Sequence, residues 1–582
     1  MKPMPSTVAA RGLVAVCVAV AAASLGGCAA LQDFLVPPTT SPHAQDPRAR
    51  GADQSEFADL VVYVGGIDGA GVADRAIALR RGRVLAVGPA SVVQPVTGPA
   101  TRVVRQVAGY ATQGLVDGHV HLEQAALMTD AADLRAETTV TGMAKALTSA
   151  GNQGTGANDW LWGWPMHEKL YETLTLTVLD RETGDRPVYL SSRDGQHAWV
   201  NSALIRLLPP DVATVALAAD GKLQREDALR VWRALPPPRL ERLKPLLLGV
   251  LTRLQRQGLT EVHSLGASIS LYYALVALER EGRLPVRCVV YFDGLRPEGQ
   301  AMLRAPRPPP LPGAPPAPPE VSLPPETRLV RVAGVEFGLD GTLETATAAL
   351  DAPYTDLGTQ VTPTWDDTQV ATWIRAADRA RTQIAFHAMG DAAVDQVLRV
   401  LDRIKRREGA LPVRIEHARV VTDDQLVDLD RGGVICSIQP LPTSADGSPT
   451  PLQRLGIDRM AWVNRAASLE AACPVIVGSD LMGFQDARPL AAFRLLSGQN
   501  PQSEIRAEEV LLPEFARKAV LPGGTAAIES GLRAGGAADL VVWSRNPFAK
   551  QVDGEPEAEP LVVVLDGTPY VLSTTDRAAA TR

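Results

Sequence analysis

Cysteine is scarce in this sequence, with five among 582 residues. Beyond the first 30 residues only Cys288, Cys436 and Cys473 remain; their number is odd and they form no CxxC pair. That does not resemble a disulfide framework or a zinc knuckle, and makes buried apolar thiols the expected state. Excess positive charge is missing too. Lys and Arg total 58 against 65 Asp and Glu, so 58 − 65 gives −7, which argues against nucleic acid as a partner. After residue 30 no apolar run is long enough to span a bilayer. Histidine is rare as well, at eight residues, so where each one falls carries weight. What is present is ordinary globular composition, 46% hydrophobic and 21% charged. The length suits one large barrel and a smaller domain.

The N-terminus reads as a targeting segment. Lys2 and Arg11 supply positive charge, Gly12 to Ser24 are nearly all small or apolar, and Leu25-Gly26-Gly27-Cys28 follows. This tetrapeptide resembles the bacterial lipobox, whose cysteine is lipidated. The alternative is an ordinary secretory signal with a chance Cys28. The lipoprotein reading makes 1–27 a signal peptide and Cys28 the lipidation site, with 28–55, rich in Pro, Ser and Asp, as a tether. Ala29 after the cysteine, by resemblance to lipoprotein sorting, implies the outer membrane facing the periplasm. The lipid is then the only expected contact with a membrane.

Short apolar runs split by glycine fill 56–113 and return in 526–575, for example Asp59-Leu-Val-Val-Tyr-Val and Ala538-Asp-Leu-Val-Val-Trp. They predict one small composite β-sandwich built from both chain ends. Between them, over 114–525, lie eight apolar strand candidates: 114–121, 259–264, 286–292, 329–340, 383–389, 413–417, 434–440 and 475–480. Helical periodicity separates several of them. Val370, Trp373, Ile374 and Ala377 form one such set; Val394, Val397, Leu398 and Leu401 form another, behind Asp391 as the expected N-cap. Strands alternating with helices predict an α/β fold with a parallel sheet, and eight such strands a closed (β/α)8 barrel. An open doubly wound sheet is the alternative. Two insertions interrupt the pattern. One, 122–258, carries Trp160, Trp162, Trp164 and Trp199 and is expected to cap the site; the other, 305–325, is a proline-dense excursion.

The chemistry concentrates at the strand ends. Asp117-Gly-His119-Val-His121 ends the first strand. Residues i and i+2 share a face, so both imidazoles can clamp one divalent ion at the barrel rim. His387, His417 and Asp480 end three later strands, and in a parallel barrel those ends converge. Neutral imidazoles leave a zinc ion's charge intact, so it lowers the pKa of bound water towards ~7. Asp480 can bind the metal, take a proton from that water and hand it to a leaving nitrogen.

These residues lie in a longer run of familiar motifs. They include Gly114-Leu-Val-Asp-Gly-His-Val-His-Leu122, Phe386-His-Ala-Met-Gly-Asp391, Arg414-Ile-Glu-His417 and Gly478-Ser-Asp480, supported by Asp194-Gly-Gln-His-Ala-Trp-Val-Asn-Ser202. From about Ala58 to Val571 the chain resembles the amidohydrolase superfamily, and within it the long-insert group called amidohydrolase family 3. The resemblance implies a barrel with a composite β-sandwich. It also implies one or two divalent ions, zinc foremost: one held by His119, His121 and Asp480, a second by His387 and His417. The implied activity is hydrolysis of a carbon–nitrogen bond other than a peptide bond in a small-molecule substrate. Two departures stand out. Glu336 occupies the slot of a lysine that is often carboxylated and bridges two metals, in Gly334-Val-Glu336-Phe-Gly-Leu-Asp340-Gly341. Its side chain is shorter than that bridge by about 4 Å, so Glu336 either bridges two ions drawn inwards or marks a one-metal site. In the cap, Gln196 stands where the pattern has histidine, with His197 one place later. Gln196, His197, Trp199 and Asp340 are the candidate substrate contacts. Other readings are a deaminase or esterase on the same metal site, and a degenerate lipoprotein that binds or regulates.

Overall fold

The structure is a computed structural model. It describes residues 57–70, 75–150, 159–192, 195, 197–224, 226–304, 327–441, 449–481, 487–500, 505–524, 531–550, 552 and 554–572. The expected signal peptide, Cys28, the tether, the proline-dense segment and Gln196 lie outside these residues. No described helix is long and apolar enough to cross a membrane.

Eight parallel strands form the central sheet: β1 (Leu115–Val120), β2 (Leu259–Ala267), β3 (Arg287–Asp293), β4 (Val330–Gly338), β5 (Gln383–Ala388), β6 (Val413–His417), β7 (Val434–Ile438) and β8 (Val475–Val477). Each pairs with its neighbours in chain order. The sheet nearly closes on itself: a parallel bridge joins Val120 to Leu481, and the Asp480 amide donates to the His119 carbonyl at 2.8 Å. The strands are almost wholly buried because helices cover one face and the barrel interior takes the other. Alternation decides which side chain goes where. On β7, Val434, Cys436 and Ile438 join the main core. Ile435, between them, packs instead with Val116 and Ile476 in a separate small cluster.

The helices follow the expected periodicity. Helix α1 (Asp367–Ala380) buries Val370, Trp373, Ile374 and Ala377, and its N-cap Asp366 accepts from the Gln369 amide. Trp373 stacks on Phe337 of β4 with ring centroids 3.8 Å apart; burial of such side chains contributes ~1.5–3 kcal/mol each. Helix α2 (Asp391–Arg403) corrects one expectation. Its N-cap is Gly390, not Asp391. A side chain at Gly390 would strike the Ala349 carbonyl, and the Gly390 amide is held by Asp340 at 2.8 Å. Close backbone approach fixes glycine at the cap, and Asp391 falls into the first turn.

The chain ends meet in one seven-stranded sheet. Arg102–Gln113 near the start pairs antiparallel with Leu540–Trp543 near the end. Val541, Trp543 and Val563 face the main core, while Leu540, Val542 and Val562 build the sheet's own core. The insertion between β1 and β2 carries a five-stranded sheet over Ala132–Asp133, Leu161–Trp164, Val188–Ser191, His197–Val200 and Lys222–Gln224.

Candidate metal centre

Two features of β1 aim its imidazoles at one point. His119 and His121 stand two apart at the strand end, and each has its Nδ1 already bonded. His119 Nδ1 lies 2.7 Å from Glu416 Oε2, and His121 Nδ1 lies 3.1 Å from the Leu265 carbonyl. A carboxylate and a carbonyl accept only, so each Nδ1 carries a proton and each Nε2 keeps its lone pair for a ligand. Those two Nε2 atoms are 3.3 Å apart. Asp480 Oδ1 joins them, 3.6 Å from His119 Nε2 and 3.3 Å from His121 Nε2. It is buried and receives no hydrogen bond. The ligand atoms of His119, His121 and Asp480 all lie within 4.8 Å of one another.

Three acceptors facing one space repel unless positive charge sits between them. The titration of His119 reflects this. Burial alone would lower its pKa, but the hydrogen bond and charge of Glu416, with Asp480 and Glu336, lift it to about 9. Burial likewise works against the Asp480 carboxylate, yet the histidines around it hold it well below the usual range. The donor set therefore fits a divalent cation in place of that proton.

The remaining histidines sit alongside. The His387 and His417 rings are 4.2 Å apart, and His417 is 5.1 Å from His119. Burial, then the His387 charge, holds His417 well below its usual pKa, so it is a neutral imidazole with a lone pair to offer. His387 Nε2 donates to the Gly341 carbonyl at 3.1 Å, which leaves Nδ1 as its free atom. Glu336 is buried on β4. Burial raises its pKa, and the charges of His119, His121 and His387 act on it in the opposite sense.

Local backbone positions these groups. His417 and Asp480 both have positive φ, at 74° and 53°. Such non-glycine conformations cost ~1–3 kcal/mol and persist where surrounding bonds enforce them. Asp117 supplies part of that enforcement: its Oδ1 accepts from the His119 amide at 3.2 Å and the Ser479 amide at 2.9 Å, pinning the end of β1 to the turn after β8. Gly478 is required there, because a Cβ would collide with the His119 backbone.

The candidate substrate contacts are more dispersed. Asp340 receives three backbone N–H groups, from Met389 at 3.0 Å, Gly390 at 2.8 Å and Ala349 at 3.0 Å. His197 is half-buried in the cap sheet, 5.5 Å from the Tyr171 ring. Its Nδ1 is buried with no hydrogen-bond partner. Trp199 is 1% exposed within the cap's own core. Trp160 and Trp162 are also buried, against Tyr189 and Trp232. A cleft beside His417 is lined by Met389, Ile438, Gln439, Asn464 and Leu469.

Reading the sequence by strand ends alone missed the support beneath His119. Glu416 is fully buried, and Arg414 donates to it from Nε at 2.7 Å and Nη2 at 3.2 Å. Arg414 also donates to the Gly118 carbonyl at 2.8 Å, Tyr291 Oη at 3.3 Å and His263 Nδ1 at 3.0 Å. His263 in turn donates to Glu261 at 3.0 Å. A signal was available: Arg and Glu alternate inside the otherwise apolar strand Val413–His417, which puts a charged pair on one buried face.

Comparison with known proteins gives the family. Residues 109–571 match the model of the amidohydrolase family. The chain is 26% identical over 473 residues to YtcJ of Bacillus subtilis (strain 168), which bears an amidohydrolase name, covering 75% of this chain and 84% of that one. In fold it is similar to an uncharacterized metal-dependent hydrolase from Pyrococcus furiosus, with TM-score 0.65 and 22% identity over 85% of this chain and 99% of the other. A metal-dependent hydrolase from Pyrococcus horikoshii OT3 is similar to the same degree, with TM-score 0.66 and 20% identity over 85% and 98% of the two chains. From its family match the chain belongs to the amidohydrolase family, as a hydrolase of that type.

Proposed function

We propose that this hydrolase cleaves a non-peptide, amide-like carbon–nitrogen bond in a small molecule, at a zinc-type centre, from a lipid-anchored position on the periplasmic face of the outer membrane. The observation that carries the chemistry is the convergence of His119 Nε2, His121 Nε2 and the unbonded Asp480 Oδ1. These three would hold one ion; His387, His417 and Glu336 are the groups for a second. When bound, such an ion supplies Lewis acidity, which lets water act as the nucleophile near neutral pH.

The protein's own groups do the rest. Asp480 takes the proton that the attacking water loses as its oxygen bonds to the carbonyl carbon. It returns that proton to the nitrogen as the carbon–nitrogen bond breaks, so the leaving group departs as a neutral amine. Low basicity, set by the histidines around it, suits Asp480 to holding the cation. Glu416 holds His119 in the tautomer that leaves Nε2 free.

One specific observation favours a single-ion version. Among the described residues only His119, His121 and Asp480 bring three ligand atoms within 4.8 Å. Glu336, standing where a longer bridging side chain is usual, is consistent with that.

The test is a panel of amides and acylated amines given to the wild-type chain, H119A and D480N. Each variant is expected to lose at least about 10²-fold in turnover while circular dichroism and melting show an intact fold. Unchanged turnover in either would overturn the mechanism.

A further inference from the structure

The strongest unassigned feature lies in the barrel wall behind the centre. Cys436 is the middle residue of β7. Cys473 immediately follows helix α3 (Ala466–Ala472) and leads through Pro474 into β8. Both are buried, and both belong to the main core on the helix side of the wall. In the structure both are free thiols, Cys473 Sγ donating to Cys436 Sγ at 3.0 Å, about 1 Å beyond the S–S bond length of ~2.05 Å. The backbone already holds the two segments together: the Cys436 amide donates to the Pro474 carbonyl at 2.9 Å, and Cys436 sits opposite Val475 in the parallel register.

We infer that Cys436 and Cys473 form an intramolecular disulfide that staples α3 and the start of β8 to β7. Cys288 stays a thiol: it is buried on β3, and its sulfur donates to the Val286 carbonyl at 3.5 Å.

The place makes the staple useful. β8 is the shortest barrel strand, with three residues. Its ladder to β7 has three residue pairs, and on its other side a single bridge and the Asp480 amide tie it to β1. Asp480 stands three residues beyond its end. α3 contributes Ala466 and Leu469 to the cleft beside His417, and β7 contributes Ile438. A bond between Cys436 and Cys473 fixes these walls to each other next to the barrel's weakest seam, the one between β8 and β1.

The chemistry is thiol–disulfide exchange with a small or protein disulfide as oxidant. One cysteine thiolate attacks a sulfur of that disulfide, forming a mixed disulfide and releasing one thiolate. The second cysteine thiolate then attacks the protein sulfur, closes the Cys436–Cys473 bond and releases the other thiolate. The two cysteine protons end on the two released thiols, and the two electrons reduce the oxidant. Burial dictates the timing. The neighbouring thiol, then burial, push the Cys436 pKa far above its usual value, so the folded thiol is inert and exchange happens during folding, before the core closes. Once formed, the bond is shielded from reductants.

The full chain is unfolded under reducing conditions, refolded in a mixture of oxidised and reduced glutathione, alkylated without further reduction and digested with trypsin. Peptide 432–454, carrying Cys436, is expected to emerge joined to peptide 466–494, carrying Cys473, and to separate on reduction. The Cys288 peptide is expected alkylated. C436S is expected to give no joined species and an alkylated Cys473. Wild-type protein refolded with both thiols kept reduced is expected to melt several degrees below the disulfide form; C436S is expected to melt alike after either refolding. Recovery of both peptides singly alkylated from refolded wild-type protein, or Cys288 joined to either of them, would overturn the inference. The glutathione mixture supplies the oxidant in vitro, so this outcome does not depend on the proposed envelope location or activity.

Discussion

At the scale of single residues, His119 depends on a charge it never exposes. Its Nδ1 proton points at Glu416, and Glu416 stays ionised because Arg414 offsets the cost of burial. E416Q keeps the volume and an acceptor oxygen but removes the charge. Zinc affinity, measured by competition with a chelating dye, is expected to fall about 10–100-fold; an unchanged affinity would contradict the role given to Glu416. R414M acts on stability instead. It leaves the buried Glu416 anion with His119 as its remaining partner, so a loss of about 3–5 kcal/mol is expected in urea unfolding, and a loss under 1 kcal/mol would contradict it. Much of this centre was legible in the sequence, since rare histidines and one aspartate fall at the ends of apolar strands. Arg414 and Glu416 were legible as motif letters and as a charged pair on one face of a short strand, but not as the support of His119. Their partners, Gly118, Tyr291 and His263, are far away in sequence, and no periodicity encodes contacts across a barrel interior.

At the scale of elements, helix α2 shows how close packing overrides a local rule. Aspartate is a favoured N-cap, yet Gly390 takes the position because the chain passes against Ala349. Asp391 is then carried into a buried first turn, where its Oδ1 accepts from the Asp351 amide at 3.2 Å and the Ala392 amide at 3.1 Å. Burial wins over these bonds and lifts its pKa from 3.8 to about 6. The sign follows from linkage. The folded state binds this proton more tightly than the unfolded state, so the group's contribution to stability falls as pH rises from about 4 to about 6, and the penalty is complete above that. D391N keeps an acceptor and removes the charge. Relative to wild type it is expected to gain about 2–3 kcal/mol on going from pH 4 to pH 7.5, read from urea midpoints in chelator. A constant difference between the two proteins across that range would contradict the assignment. The cap sheet was not legible in the same way. Its strands are two to four residues long, too short for alternation to show, and its tryptophans mark a packed cluster rather than a pattern.

At the scale of the molecule, eight apolar runs in the expected order became eight neighbouring parallel strands, because strands buried on both faces need continuous Val- and Ile-rich runs that stand out from any background. The meeting of the two chain ends in one sheet was legible for a related reason: both carry short apolar runs between turns. Length and pattern did not reveal how firmly that sheet is tied to the barrel. Arg287 on β3 reaches Asp539 at the edge of the terminal sheet, from Nε at 3.1 Å and Nη2 at 2.9 Å. It also lies 4.0 Å from Glu261, which is bonded to His263 and so to Arg414. Charged contacts thus run from the candidate metal centre through the barrel interior to the far sheet.

The proposed hydrolysis rests on the three acceptors of His119, His121 and Asp480 holding a cation. The direct measurement is elemental analysis of the full chain, as purified and after incubation with zinc and removal of excess, alongside H119A and D480N. The account predicts one or two divalent ions per wild-type chain, and loss of at least one ion in each variant. A wild-type chain that binds no metal after incubation with zinc, or variants that retain the wild-type content, would contradict it.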